Sequence, residues 1–382
     1  MKQIFFVRNN QVWEDISKQI DASTVADICN LDVFEKIPGD RLPDEILLDG
    51  LEHFKNNSGG GYHAVIAVNT GSPKGDTQYG LSYFFRLSLA VARTLKRNGI
   101  KFSFWAPFSP FIHIHGTFPN LVYDECKDKF RFPATFGLIN EVFQTFPQEF
   151  AGKKIDMWIA IGDDCLNALD LADALDLPHT FAYYTTYALK DRVIALPDFE
   201  TRYKEEDFPN DINSNTRCKE AAAKLWQDNH AFWRGSLFTD FSRSCLFKLG
   251  KKYPQYLKIE DSKKGGRFIP MVEQAKYKYL IDTRGNAWSS RLQILLKLGR
   301  LIFIADRPYR EWYFDRLIPM KHYVPVEEDM SDLIEKIRYL ERCPEIYDKI
   351  VANLKEFVEE NLTPRRILFD TKEIILRYGV VD

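Results

Sequence analysis

From residue 60 onward, apolar residues fall into strand-length runs separated by segments with helical spacing. The run "YHAVIAVNT" (62–70) predicts a buried strand, "GLSYFFRLSLAVARTLKRNG" (80–99) an amphipathic helix closed by Asn98-Gly99, and "IKFSFWAPF" (100–108) a second strand. "KIDMWIAIGDD" (154–164) and "HTFAYYTTY" (179–187) continue the strand series. Between 196 and 216 the chain turns polar, with Pro and Asn and little periodicity, which marks an inter-domain connection. Alternation then resumes. The pattern predicts helices at 217–229, 241–252, 289–298, 330–341 and 344–361, and strands at 231–236, 256–260, 277–283, 300–305 and 322–326. This is α/β order, and each half predicts a Rossmann-like sheet. There is no internal repeat and no low-complexity tract.

Two polar knots interrupt the apolar segments of the second half. In "KYKYLIDTRGNAWSSRLQILLKLGRLIFIAD" (276–306), a strand reaches its carboxyl end, the chain turns through Arg284 and Gly285, and a helix starts. Free amides and the positive end of the dipole make such a helix start an anion site. Ser289 or Ser290 is a candidate cap, and Arg291 in the first turn opposes the dipole unless an anion lies nearby. The alternative is an Arg291 that points to solvent or pairs with a carboxylate. In "HAFWRGSLF" (230–238), an aromatic strand ends in Arg234-Gly235-Ser236, where Gly permits close backbone approach and Arg can clamp phosphate. Arg-Gly-Ser alone is also a common turn.

Composition narrows the classes. A chain of 382 residues, 45% hydrophobic, is long enough for two domains. Lys and Arg number 52 against 54 Asp and Glu, so no global field draws nucleic acid or an anionic membrane, and any anion site is local. No segment reads as a signal peptide or a membrane span. Six cysteines scattered singly, without CxxC, read as reduced thiols in a cytosolic compartment. "GSPKGDT" (71–77) lacks Walker A spacing, GxGxxG is absent, and no GxSxG elbow supports a hydrolase. His113 and His115 share a strand face as a weak metal candidate without a third ligand, and Asp163-Asp164 lacks DxD spacing.

"FWRGS", then "AKYKYLIDTRGNAWSSRLQILLKLGRLIF", then "EWYFDRLIPMKHYVPVEEDMSDL" resembles glycosyltransferase family 90. That family includes the Rumi-type protein O-glucosyltransferases and fungal capsule-associated xylosyltransferases. The resemblance covers about 231–340, is faint over 155–205, and is absent before residue 150. It implies an inverting, metal-independent transferase of GT-B architecture, with two Rossmann-like domains facing a central cleft. Residues 1–195 would bind the acceptor and supply the base, residues 196–362 would bind the nucleotide sugar, and a terminal helix in 363–382 could cross back to the first domain. The resemblance assigns the donor diphosphate to Arg234, Gly235, Ser236 and Arg291, with Arg284, Gly285, Ser289 and Ser290 in the same turn. It places the catalytic base at Asp163, with Asp164 the alternative because it replaces the family's aromatic.

Thr185, Thr186 and Asp198 would sit in the acceptor cleft, while Glu311 and "HYVPV" (322–326) match as well but equally suit a packed helix start and a buried strand. The expected donor is a UDP-sugar carrying glucose or xylose, as co-substrate, with no cofactor or metal. The animal members carry a signal peptide and a retention tail; this chain shows neither and ends "RYGVVD". The expected acceptor is therefore a glycan, lipopolysaccharide or capsule-type glycolipid, handled in the cytoplasm or at the inner membrane. No nucleic-acid partner is expected. The competing reading is an inactive nucleotide-sugar-binding relative.

Overall fold

The computed structural model describes residues 3–8, 11–12, 64–67, 102–105, 111–124, 131–162, 165–198, 215–263, 269–285 and 287–382. The predicted helix at 80–99, the acid pair Asp163-Asp164 and most of the 196–216 connection lie outside the described residues.

Strands β1 (Gln3–Arg8), β2 (Gln11–Val12), β3 (Ala64–Ala67) and β4 (Phe102–Trp105) form a small sheet in the order β2-β1-β3-β4. A second sheet is built on the antiparallel pair β5 (Phe111–Thr117) and β7 (Lys154–Ala160), which run in register from Phe111↔Ala160 to Thr117↔Lys154. With β6 (Asn120–Asp124), β8 (Thr180–Ala182) and β10 (Val193–Ala195), its order is β10-β8-β7-β5-β6. Every second residue of β7 is buried (Ile155, Met157, Ile159), the two-residue period of a strand with one face in the core. Helix α1 (Arg131–Thr145) turns Leu138, Ile139, Val142 and Phe143 inward, the spacing of a helix with one apolar stripe, and α2 (Pro147–Phe150) and α3 (Cys165–Leu175) follow it.

The run 179–187 is not a single strand. Thr180–Ala182 joins the second sheet, whereas β9 (Tyr184–Thr186) pairs antiparallel with β15 (Tyr309–Glu311) from the other half of the chain. Phe181 through Thr185 are all buried, so the hydrophobic pattern runs through the bend at Tyr183 without a break.

The third sheet is wholly parallel. Its strands are β11 (Asp228–Gly235), β12 (Leu257–Asp261), β13 (Tyr277–Asp282), β14 (Leu301–Ala305) and β16 (Val324–Val326), in the order β12-β11-β13-β14-β16. Both faces are covered, as parallel sheets require. Phe232, Leu280 and Ile302 enter one apolar cluster, and their chain neighbours Trp233, Tyr279 and Phe303 enter the other. Helix α5 (Phe241–Lys252) starts where predicted, with the Asp240 carboxylate accepting from Ser242 N–H, and α8 (Pro344–Asn361) starts at its proline. Between them in the chain, α7 (Leu333–Arg342) buries Leu333, Ile337 and Leu340.

Two predicted helices are shorter than expected. The one at 217–229 is α4 (Asn215–Ala222); beyond it, Trp226 Nε1 donates to Asn229 Oδ1 at 3.1 Å and His230 N–H to Asp228 Oδ1 at 3.0 Å, local bonds that compete with helix. The one at 289–298 is α6 (Leu292–Leu296).

Helix α9 (Pro364–Ile374) packs on α1, and its Lys372 pairs at 3.1 Å with Glu149 in the short helix α2 that follows α1. After one wide turn, β17 (Val380–Val381) pairs antiparallel with β7. Among the described residues no helix is long and apolar enough to cross a membrane. The fold is α/β as expected, with a wholly parallel sheet in the second half; the sheet built on β7 in the first half departs from the predicted Rossmann-like sheet in that β5 runs antiparallel to both β6 and β7.

Candidate active site

The chain leaves β11 for β12 on one side and then crosses to β13 on the other. The crevice at the carboxyl ends of β11 and β13 is therefore the switch point where open α/β sheets bind ligands. Arg234 and Gly235 end β11, and Asp282 ends β13. The two sequence knots meet there: Arg291 Nη1 donates to the Arg234 carbonyl at 2.8 Å.

Each predicted residue has a definite place. Arg234 Nη1 pairs with Glu260 Oε2 at 2.7 Å. At Gly235 a Cβ would stand 2.7 Å from the Trp233 ring, so the indole requires glycine. The Ser236 carbonyl accepts from Arg243 Nη1 at 2.9 Å. Arg284 pairs with Asp240 at 2.7 Å and Glu328 at 3.5 Å. Gly285 N–H closes the turn onto the Trp288 carbonyl at 3.0 Å, and Ser290 sits half-buried in the turn that follows.

Neither serine caps the helix. The N-cap position of α6 is Arg291, without a side-chain bond, and the Ser289 hydroxyl donates instead to Asp282 Oδ1 at 2.6 Å. A five-residue helix carries little macrodipole, so the attraction for an anion rests on guanidinium groups.

Four groups escaped the sequence reading. Arg243, in the first turn of α5, donates to the carbonyls of Arg284 and Ser236, both at 2.9 Å. Arg243 and Arg291 both lie 5.5 Å from the Trp233 ring. Burial, then the charge of Arg291, pushes the Arg243 guanidinium down to about 10. Burial lowers Arg291 too, against the opposing pull of Asp282. Arg291 Nη2 is buried without a hydrogen-bond partner among the described residues. Two desolvated cations side by side, one with a donor unused, favour a multiply charged oxyanion. The argument that singled out Arg291, a basic residue in a first helical turn, applies equally to Arg243.

Beneath this pair, the fully buried Asp282 accepts from Ser289, from Arg291 Nε at 3.3 Å and from Arg307 Nη1 at 2.6 Å. Burial opposes the charge of Arg307, but the carboxylates of Glu311 and Asp282 outweigh it and hold the guanidinium above its ordinary range. Arg307 Nη2 lies 3.4 Å from Glu311, whose own carboxyl is raised by burial despite that arginine. Asp240 completes the group by serving both the α5 cap and Arg284.

The residues expected in an acceptor cleft separate. Asp198 is buried and accepts from Trp288 Nε1 at 3.1 Å and from Gln293 Nε2, so it braces the donor-side turn. Trp288 stacks on Tyr184 with centroids 4.8 Å apart. Thr185 and Thr186 lie in β9 against β15, and Glu311 is a buried member of β15. His113 pairs with Asp156 at 2.9 Å and stacks between His115 and Trp158.

Comparison with known proteins identifies the family. The chain is 27% identical over 184 residues to protein O-glucosyltransferase 1 of Rattus norvegicus, covering 44% of this chain and 47% of that one. It is 26% identical over 177 residues to O-glucosyltransferase rumi of Drosophila melanogaster, covering 42% and 43%. The chain thus spans about half the length of the curated relatives it matches. Among solved structures, Anabaena Alr3699/HepE in complex with UDP-glucose aligns with 98% of this chain and 99% of its own, at 9% identity and a TM-score of 0.35. The model of glycosyl transferase family 90 matches residues 181–380, a span that contains the whole arginine-lined crevice, and the chain belongs to that family.

Proposed function

We propose that the protein is an inverting glycosyltransferase that moves a sugar, glucose or xylose, from a UDP-sugar to a hydroxyl of a glycan, lipopolysaccharide or capsule-type acceptor. The observation that carries this reading is the convergence of Arg291 and Arg243 on Trp233 at the switch point, with Arg291 Nη2 unpartnered. That geometry suits a diphosphate. The names of the O-glucosyltransferase relatives support the sugar-transfer chemistry.

In the proposed reaction, the acceptor oxygen attacks the anomeric carbon from the face opposite the leaving group. A carboxylate takes the hydroxyl proton as the new C–O bond forms and the bond from anomeric carbon to phosphate oxygen breaks. Charge then grows on the departing diphosphate, where fixed guanidinium groups in a partly desolvated crevice stabilise it most. On this account the cationic side chains neutralise the leaving group, and turnover proceeds without a divalent ion. Activity that vanishes in chelator and returns with manganese would refute that point.

Asp163, with Asp164 as alternative, is the proposed base, since both follow directly on β7 of the first unit. Asp163→Asn should retain UDP binding and lower transfer by roughly a hundredfold to ten-thousandfold, with Asp164→Asn as the matched control. Near-normal transfer by both variants and by the double variant would remove this assignment. UDP binding in a wild type that transfers from no UDP-sugar would favour the inactive relative. The proposed location is cytoplasmic, at most peripheral to a membrane. Cys218, Cys245 and Cys343 are free thiols, which suits a reducing compartment. Paired cysteines in protein isolated without reductant would count against it.

A further inference from the structure

The strand pair β9–β15 joins the two units, and one side chain on it has no use in the diphosphate site. Arg310, in β15, has its guanidinium carbon 4.5 Å from the Tyr187 ring and 4.7 Å from the Phe314 ring. Its Nη1 donates to the carbonyls of Arg307 and of Tyr309, the latter at 2.9 Å. It pairs with no carboxylate among the described residues, and its Nε is buried without a hydrogen-bond partner. Tyr187, one residue past β9, is 61% exposed. The neighbouring Tyr309 lies opposite Thr186 in the strand register and carries the Arg284 guanidinium 5.5 Å over its ring, while Arg310, next along the strand, leaves from the other face.

We propose that Arg310 and Tyr187 form a subsite for the carboxylate-bearing ring of a sugar acid in the acceptor. A guanidinium held between two aromatic rings keeps its orientation and its in-plane donors but has no counterion. A carboxylate supplies that charge through a charge-assisted hydrogen bond. The open face of Tyr187 offers the flat apolar surface on which a pyranose ring stacks. Arg243 and Arg291 differ from Arg310 in kind: they share one indole with each other at the sheet switch point, whereas Arg310 shares its exposed ring with the first unit. That origin places the sugar acid in the acceptor rather than in the transferred sugar.

This inference rests on the UDP-sugar reading, so the experiment separates the two. Calorimetry first measures UDP binding to the full chain; absence of binding overturns the donor reading and this subsite with it. With UDP saturating, methyl β-glucuronide and methyl β-glucoside are then titrated in parallel. The wild type should bind the glucuronide about tenfold tighter or more, as expected for one charge-assisted contact. Arg310→Gln should abolish the preference while UDP affinity stays within about twofold, and Tyr187→Ala should weaken the glucuronide with its fold intact. Equal affinity for the two glycosides, binding of neither, or a preference that survives Arg310→Gln would each overturn the subsite. A parallel titration compares UDP-glucuronate with UDP-glucose. An Arg310-dependent preference found there, and not with the glycosides, would overturn its assignment to the acceptor.

Discussion

Two buried carboxylates hold the segment 288–293, and their partners differ in kind. Asp282 ends β13 and is held by two guanidiniums and a hydroxyl, whereas Asp198, from the first half of the chain, is held by an indole N–H and a side-chain amide. The first is an electrostatic hub: without the acid Arg291 would lose its carboxylate and Arg307 would keep only Glu311 at 3.4 Å. Among the described residues the second accepts from two neutral donors, an indole and an amide, and these hydrogen bonds fix the position of the segment. One segment is thus held by charge at one acid and by neutral donors at the other.

The sharpest test of that contrast is Asp282→Ala. It leaves Arg307 and Arg291 without their shared partner and should cost about 3–5 kcal/mol of stability, measured by denaturant unfolding. A loss under about 1 kcal/mol would show that the hub is not electrostatic.

Arg291→Ala removes the cation that spans the crevice and should weaken UDP binding by about tenfold or more with the fold retained, as read by calorimetry. Arg243→Ala should act in the same direction, and unchanged affinity in both would detach the diphosphate from this crevice.

Asp198→Asn preserves shape but turns one of the two accepting oxygens into an NH2 donor, so one hydrogen bond is lost together with the charge. It should cost about 1 kcal/mol in unfolding free energy and leave UDP affinity close to wild type. If UDP affinity falls as far as in the Arg291 variant, the two carboxylates are not distinct in role.

Glu311→Gln should give the smallest effect, and a pH-dependent one. Burial raises the Glu311 carboxyl, so its neutral form favours the fold, and that contribution is complete at low pH and fades as pH rises through the elevated value. Gln does not titrate. Melting temperatures from about pH 4.5 to pH 8 should therefore show the wild type losing ground to the variant as pH rises. A constant difference across that range would mean that Glu311 stays ionised throughout.

Where the sequence was legible, local chemistry decided the outcome. Helix α5 begins at an Asp cap and α8 at a proline, and both span the residues that the pattern predicts. Strands β11 and β13 follow from their apolar runs, and the meeting of 234–236 with 284–291 follows from their positions at strand ends. What stayed hidden was the partner of each polar group. Ser289 looks like a cap in one dimension, but the acid it serves lies seven residues earlier, across the turn. Arg307 carries no signal in the sequence, yet it is buried between Asp282 and Glu311. Periodicity reports which faces are apolar and not which sheet receives a strand, so 179–187 concealed its division between two sheets. The charge on Arg310 was equally invisible, because its significance lies in having no acid beside it.

The strand β17 has a consequence for the order in which the molecule is made. It fills the edge of β7 at Lys154 and Ile155, the stretch of that edge on which β8, paired only with Ile159 and Ala160, makes no ladder bonds. During synthesis the first sheet therefore waits with part of one strand unpaired while the whole second unit emerges and folds. An open strand edge is an invitation to other chains, and contacts so distant in sequence close slowly. Val380 and Val381 thus act as a seal on the first unit, and the nascent chain stays vulnerable to mispairing until they arrive.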